Sequence, residues 1–170
     1  MHALRPPGTV SARELLRWQF RLAHALLEGA IERFPSKAVR DAHGGGVLAC
    51  ACYAQGVLCE DLSVNGVLAA GTPLALSTWA GRTGLSEIPP LTGTASWRAW
   101  ARRVRLDEVR LRRYAKAVYA STDAYIARLP DEVLDPARGE MPACLLTALL
   151  LNVSMRHGEI AGLRDLGTTP

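Results

Sequence analysis

The chain has 170 residues, enough to bury one sizeable core, and reads as a single domain over 1–170 with an irregular arm at 1–10. Its 49% hydrophobic and 21% charged residues lie near the globular average, which excludes a disordered or fibrous chain. The net charge of +4 is carried almost wholly by arginine, since Lys37 and Lys116 are the only lysines; with abundant alanine and leucine, this bias points to a GC-rich, actinobacterial genome. The densest basic stretch, Arg98 to Arg113, is interrupted by Asp107 and Glu108 and belongs to no recognisable nucleic-acid module. It is expected to be a solvated or partner-facing surface, with no nucleic acid bound.

In chain order, Pro6, Pro7 and Gly8 keep the first residues irregular. Ser11 and Glu14 then form a capping box, and Leu15, Leu16, Phe20, Leu22, Ala23, Leu26, Leu27 and Ile31 recur at helical spacing. This first helix is expected to bury that face and to end at Phe34-Pro35. His43-Gly44-Gly45-Gly46 reads as a loop. A second helix follows from Val47 to Ala70, apolar on nearly every face and so expected to be buried against several neighbours, with Gly71 as its stop.

Glycines and prolines break residues 71–106 into a long connection, within which Ser96 can cap a short helix carrying Trp97 and Trp100. These tryptophans, with Trp79, either roof a pocket or seal one end of the fold. A third long helix runs from Asp107 to Arg128 with an inner stripe of Leu111, Tyr114, Ala115, Val118, Thr122 and Tyr125. After a turn over 130–140, Pro142 suits the first turn of a fourth long helix that reaches Leu166 and stops at Gly167. Four long helices with one long crossover and no strand pattern predict an all-α four-helix bundle.

The cysteines are Cys50, Cys52, Cys59 and Cys144. Three of them crowd into one apolar helix, where neither a disulfide framework nor zinc-type pair spacing fits, so they read as core thiols of a reducing, cytoplasmic compartment. The N-terminal residues lack the apolar segment of a signal peptide, and no run of apolar residues is long enough to predict a membrane span.

Two stretches resemble the DinB-like (YfiT-like) family of four-helix bundles: YAQGVLCEDLSVNGVLAAGTPL at 53–74 and NVSMRHGEIAGLR at 152–164. YAKAVYASTDAYIARL at 114–129 is similar to the third helix of that family, so the resemblance spans nearly the whole chain. It implies a divalent metal inside the bundle, held by a histidine of the second helix and two residues four apart on the fourth. It further implies thiol transfer or isomerisation with a thiol cosubstrate such as mycothiol.

At the positions that match those ligands this sequence has Gln55, Asn152 and Arg156. Amides bind such ions poorly and a guanidinium repels them, so no metal is expected. Arg156 has two open readings: an internal ion pair with Glu60 or Asp61, or capture of a planar organic anion oriented by Gln55 and Asn152. His157 is a candidate general base. Cys52, Cys59 and Tyr53 are candidate lining residues, Tyr53 doubling as a core hydroxyl, and Glu159 resembles a structural glutamate of the family.

Three functions compete. The first is a metal-independent isomerase, cyclase or transferase acting on a small organic anion, in bacterial secondary metabolism. The second is a noncatalytic ligand-binding or partner protein, with a homodimer through helix faces. The third is a thiol transferase whose metal has moved to His157 with Glu60 or Cys59.

Overall fold

A computed structural model describes residues 10–34, 45–90, 95–135, 138 and 140–166. Among them the regular structure is helical, apart from one isolated bridge between Leu85 and Leu106. The elements are α1 (Ala12–Glu32), α2 (Gly45–Asp61), a π-helical segment (Leu62–Leu68), a short 3-10 turn (Leu74–Leu76), α3 (Ala95–Arg103), α4 (Glu108–Arg128), a second 3-10 turn (Asp131–Leu134) and α5 (Met141–Leu166). The arm over 1–9, the chain break at Pro35, the His43-Gly44 turn and the Gly167 stop lie outside the described residues.

Local signals place most boundaries. Ser11 caps α1 through Glu14 with both halves of the capping box formed, and Asp107 caps α4 by accepting from the Arg110 amide. Gly45 and Gly46 belong to α2 rather than to a loop. The α-helical part of α2 stops at Asp61, and the chain continues to Leu68 with the wider π winding. At the end of that segment Ala70, not Gly71, takes the left-handed conformation (φ 49°). Gly71 is needed for space instead, because a Cβ there would meet the Asn65 carbonyl oxygen at 3.1 Å.

α2 packs against α5, α4, α3 and α1, and α1 also packs against α5 and α4. Ala49, Tyr53, Ala54, Val57 and Leu58 of α2 join Leu27 and Ile31 of α1, Leu111, Tyr114 and Val118 of α4, and Val153 and Ile160 of α5 in the main core. Residues Gly46–Leu68 would suffice in length and apolarity to cross a membrane, and most of that stretch is buried inside the fold. That burial is what its all-round apolar surface requires in a helix with several neighbours.

Three expectations need correction. On α1 the buried residues are Phe20, Ala23, His24, Leu27, Ala30 and Ile31, while Leu15, Leu22 and Leu26 are exposed. The apolar stripe is wider than the one face α1 turns inward. On α4 the last inward residue is Ile126 rather than Tyr125, whose hydroxyl donates to the Leu68 carbonyl at 3.4 Å. Cys144 is exposed, unlike the buried Cys50 and Cys52.

The crossover is fastened at both ends. Asp61, fully buried, accepts from the Leu74 and Ala75 amides and from Asn65 Nδ2, each at 2.8 Å, and from the Tyr114 hydroxyl at 2.7 Å. That bond, after burial itself, drives the Tyr114 hydroxyl well above the ordinary tyrosine range. At the other end Gly84 (φ 85°) lies so close to the start of α4 that a Cβ would meet the Leu111 nitrogen at 2.5 Å. Trp100, wholly buried, donates through Nε1 to the Glu87 carbonyl at 3.1 Å and so closes the connection over the core.

Asp61→Ala leaves four donors without their acceptor, two of them, the Ala75 amide and the Tyr114 hydroxyl, buried. It is expected to cost roughly 3 kcal/mol or more in urea denaturation. Limited proteolysis of the folded variant is expected to cut first within 69–90.

Candidate functional site

Helical spacing sets one wall of the site. Gln55, Leu58, Cys59, Leu62 and Ser63 follow one another by one and two turns down α2 and into the π segment, so they share a face. Asn152 and Arg156, four apart on α5, face them, and Pro89 and Pro90 of the crossover close the side. Together these residues line a cavity of about 260 Å³. The π winding matters here because it sets how Leu62 and Ser63 follow Cys59; such segments recur at functional sites.

Arg156 is 9% exposed and Gln55 also 9%. The stem of Arg156 lies over Gly56, where a Cβ would stand 3.3 Å from its Cγ. The guanidinium donates through Nη1 to Glu159 Oε2 at 2.6 Å, on the same helix. Glu159 keeps a side-chain exposure of 44%, so water screens part of its charge. Arg156 Nε and Gln55 Oε1 are both buried and have no hydrogen-bond partner among the described residues. Leaving a buried donor and a buried acceptor unmade costs about 1–3 kcal/mol each, which sets these two lining residues apart from the bonded polar groups of the core.

The structure therefore brings together Gln55, Asn152, Arg156 and Cys59. It does not bring the other sequence candidates to the cavity wall. Tyr53, about 200° around α2 from Gln55, donates its hydroxyl to Glu28 of α1. His157 is half-buried on the neighbouring face of α5, about 100° from Arg156. Cys52 is buried one turn before Gln55, beside Glu159 and Arg156 but behind the lining. Of the two readings of Arg156, the internal ion pair forms with a different carboxylate, Glu159, because Asp61 holds the crossover and Glu60 turns to α1.

Glu60 is the residue whose role sequence reasoning missed. It is 1% exposed; its Oε2 accepts from His24 Nε2 at 2.9 Å and its Oε1 from the Thr122 hydroxyl at 2.5 Å. His24 stacks on Tyr119 with ring centroids 3.8 Å apart, and both line a second cavity of about 340 Å³ with Phe20, Arg21, Ala120 and Asp123. The signal available in advance was the Glu60-Asp61 pair inside an apolar helix, where each carboxylate demands its own partners. Within the basic stretch, Arg103 pairs with Glu87, Arg110 with Asp107, and Arg112 with Glu28 and Glu32.

Gln55, Asn152 and Arg156 do not fit the divalent metal that the family resemblance implies. Two amides are weak ligands, the fixed positive charge opposes a cation, and the nearest carboxylate already holds Arg156. Among the described residues no three of His, Cys, Asp or Glu converge as a metal-binding group. In comparisons with known proteins, no family model, curated protein or solved structure matches the chain.

Burial, followed by the charge of Glu159, lifts the Cys52 thiol from 9.0 to about 11. Burial likewise raises Cys59, opposed by a hydrogen bond from Ser63 and by the charge of Arg156. Neither is a ready thiolate nucleophile at neutral pH. Between pH 9 and about 11 the unfolded chain releases the Cys52 proton that the folded chain keeps, so stability present below pH 9 is lost as pH rises. Cys52→Ala is expected to flatten part of that alkaline decline in denaturation curves. Gly56→Ala is expected to displace the Arg156 stem by a few tenths of an ångström while leaving the helices intact, read by a crystal structure of the variant.

Proposed function

We propose that the chain binds a small organic anion in the Arg156 cavity, on an all-α scaffold read as a DinB-like four-helix bundle with α3 inside its crossover. The observation that carries this reading is that two residues lining one cavity, Arg156 and Gln55, each hold a buried atom with no hydrogen-bond partner among the described residues, Nε and Oε1. The first is a donor and needs an acceptor; the second is an acceptor and needs a donor. A carboxylate with a neighbouring hydroxyl, amino or amide group supplies both, and Asn152 adds one further polar contact. Leu58, Leu62, Pro89 and Pro90 offer apolar surface to a short hydrocarbon portion.

On the catalytic form of this reading the chain is a metal-independent isomerase, cyclase or transferase. Arg156 would stabilise negative charge developing on an enolate or carboxylate oxygen, with Gln55 and Asn152 fixing the substrate's orientation. The noncatalytic form has an observation in its favour: the cavity lining includes no carboxylate or imidazole to move a proton, and its thiol, Cys59, is raised by burial. The relocated-metal reading draws no support from the geometry, since Glu60 is bonded to His24 and Thr122 and His157 stands outside the cavity.

Calorimetric titration with 2-hydroxy and 2-amino carboxylates, against alkyl carboxylates of equal length, tests the binding. Arg156→Ala is expected to weaken the best ligand roughly 10–100-fold, the worth of one or two charge-assisted hydrogen bonds. Affinity that is unchanged in this variant would remove the cavity from consideration. Turnover that survives exhaustive chelation separates the catalytic form from simple binding.

A further inference from the structure

We infer that α5 is the seam of a homodimer, two copies pairing this helix antiparallel about a twofold axis at Leu151. The starting point is a mismatch between composition and burial. α2 and α5 are both apolar nearly all round, with little bias to one face. α2 is buried on most sides, whereas α5 exposes Met141 by 58%, Leu151 by 60% and Met155 by 64%. A helix without a polar face calls for neighbours on more than one side.

The exposed residues form a register. Positions 141, 144, 148, 151, 155, 158 and 162 are all exposed and follow the alternating three- and four-residue spacing of a helix–helix seam. They lie opposite the inward-facing Leu146, Val153 and Ile160. None of the seven carries a charge. The stripe runs for about 32 Å, or three heptads.

Its steric pattern is self-complementary when two copies run in opposite directions. Met141 then meets Gly162, Cys144 meets Gly158, Ala148 meets Met155, and Leu151 meets its own copy. Large side chains face small ones at matching distances on either side of Leu151, as knobs into holes require. Glu159, the one exposed carboxylate beside the stripe, falls opposite the Cys144 region of the second copy and not opposite itself, so no like charges collide.

The two glycines are the independent sign. A Cβ at Gly158 or Gly162 would meet nothing within 4 Å, and neither has a left-handed backbone. Among the described residues nothing explains glycine at two exposed positions in the interior of a helix, where it is the poorest choice after proline. Close approach of another backbone or large side chain does explain it. α1, which packs along α5, has a separate exposed row of Leu15, Trp18, Leu22 and Leu26, so the choice of seam must be tested against it.

Sedimentation equilibrium of the full chain at tens of micromolar is expected to report a dimer. Leu151→Glu places two carboxylates on the axis and is expected to give a monomer with an unchanged circular dichroism spectrum. Gly162→Met fills a hole without touching the monomer core and should weaken dimerisation at least tenfold; adding Met141→Gly, which reopens the space opposite, should restore it. Under mild oxidation Leu151→Cys should crosslink two copies, whereas Cys144, about 21 Å from its counterpart in this register, should not crosslink to it. A monomeric wild type, a dimer that survives Leu151→Glu, or a dimer lost only on Trp18→Glu would overturn the proposal, as would a Cys144 to Cys144 crosslink.

Discussion

Asp61 sits with no exposed surface at the point where α2 gives way to the π segment, and its two oxygens accept four hydrogen bonds from three parts of the chain. A buried carboxylate is tolerable only when its lone pairs are occupied. Here that requirement ties the end of α2, the first turn of the crossover and the middle of α4 together. Once residues 74 and 75 are held there, the crossover must travel back along the helices, and Pro89 and Pro90 are brought against α2 and α5. The cavity beside Arg156 thus owes its third wall to a charge one turn away that never touches it.

The neighbouring carboxylate solves the same problem differently. Glu60 finds its donors in His24 and Thr122, which joins α1 to α4 through α2. A parallel arrangement one turn further along α1 uses Glu28, which accepts from Tyr53, Tyr119 and Arg112. Polar groups in this core are therefore concentrated in a few saturated clusters. Arg156 Nε and Gln55 Oε1 depart from that pattern, and the contrast is what gives them functional weight.

Much of the helical layout was legible in advance. Ser11 with Glu14, Asp107 and Pro142 announce helix starts by local chemistry that distant parts of the chain scarcely influence. Gln55, Asn152 and Arg156 could be grouped through the resemblance to the family's ligand positions, and Cys59 joins Gln55 because a spacing of four keeps residues on one helix face. Partner choice was not legible. Arg156 bonds Glu159 rather than Glu60 or Asp61, because which way each carboxylate points depends on the rotation of α2 against its neighbours. The inward turn of α1 was equally hidden: its apolar residues cover more than half the circumference, and only the packed partners decide that Leu22 and Leu26 face outward while His24 faces in.

The π winding over 62–68 has a further implication. Such a segment holds one residue more than an α-helix of the same number of turns, so it behaves as an insertion absorbed without breaking the helix. Removing a single residue there would let the winding close to an ordinary α-helix while the residues on either side keep nearly the same facing. The contact at stake is the one inside the segment, where Asn65 Oδ1 accepts from the Ser121 hydroxyl at 2.5 Å. One surplus residue is thus taken up where it stands, and variation in chain length at this point would be felt in the local winding rather than in the course of the chain beyond it.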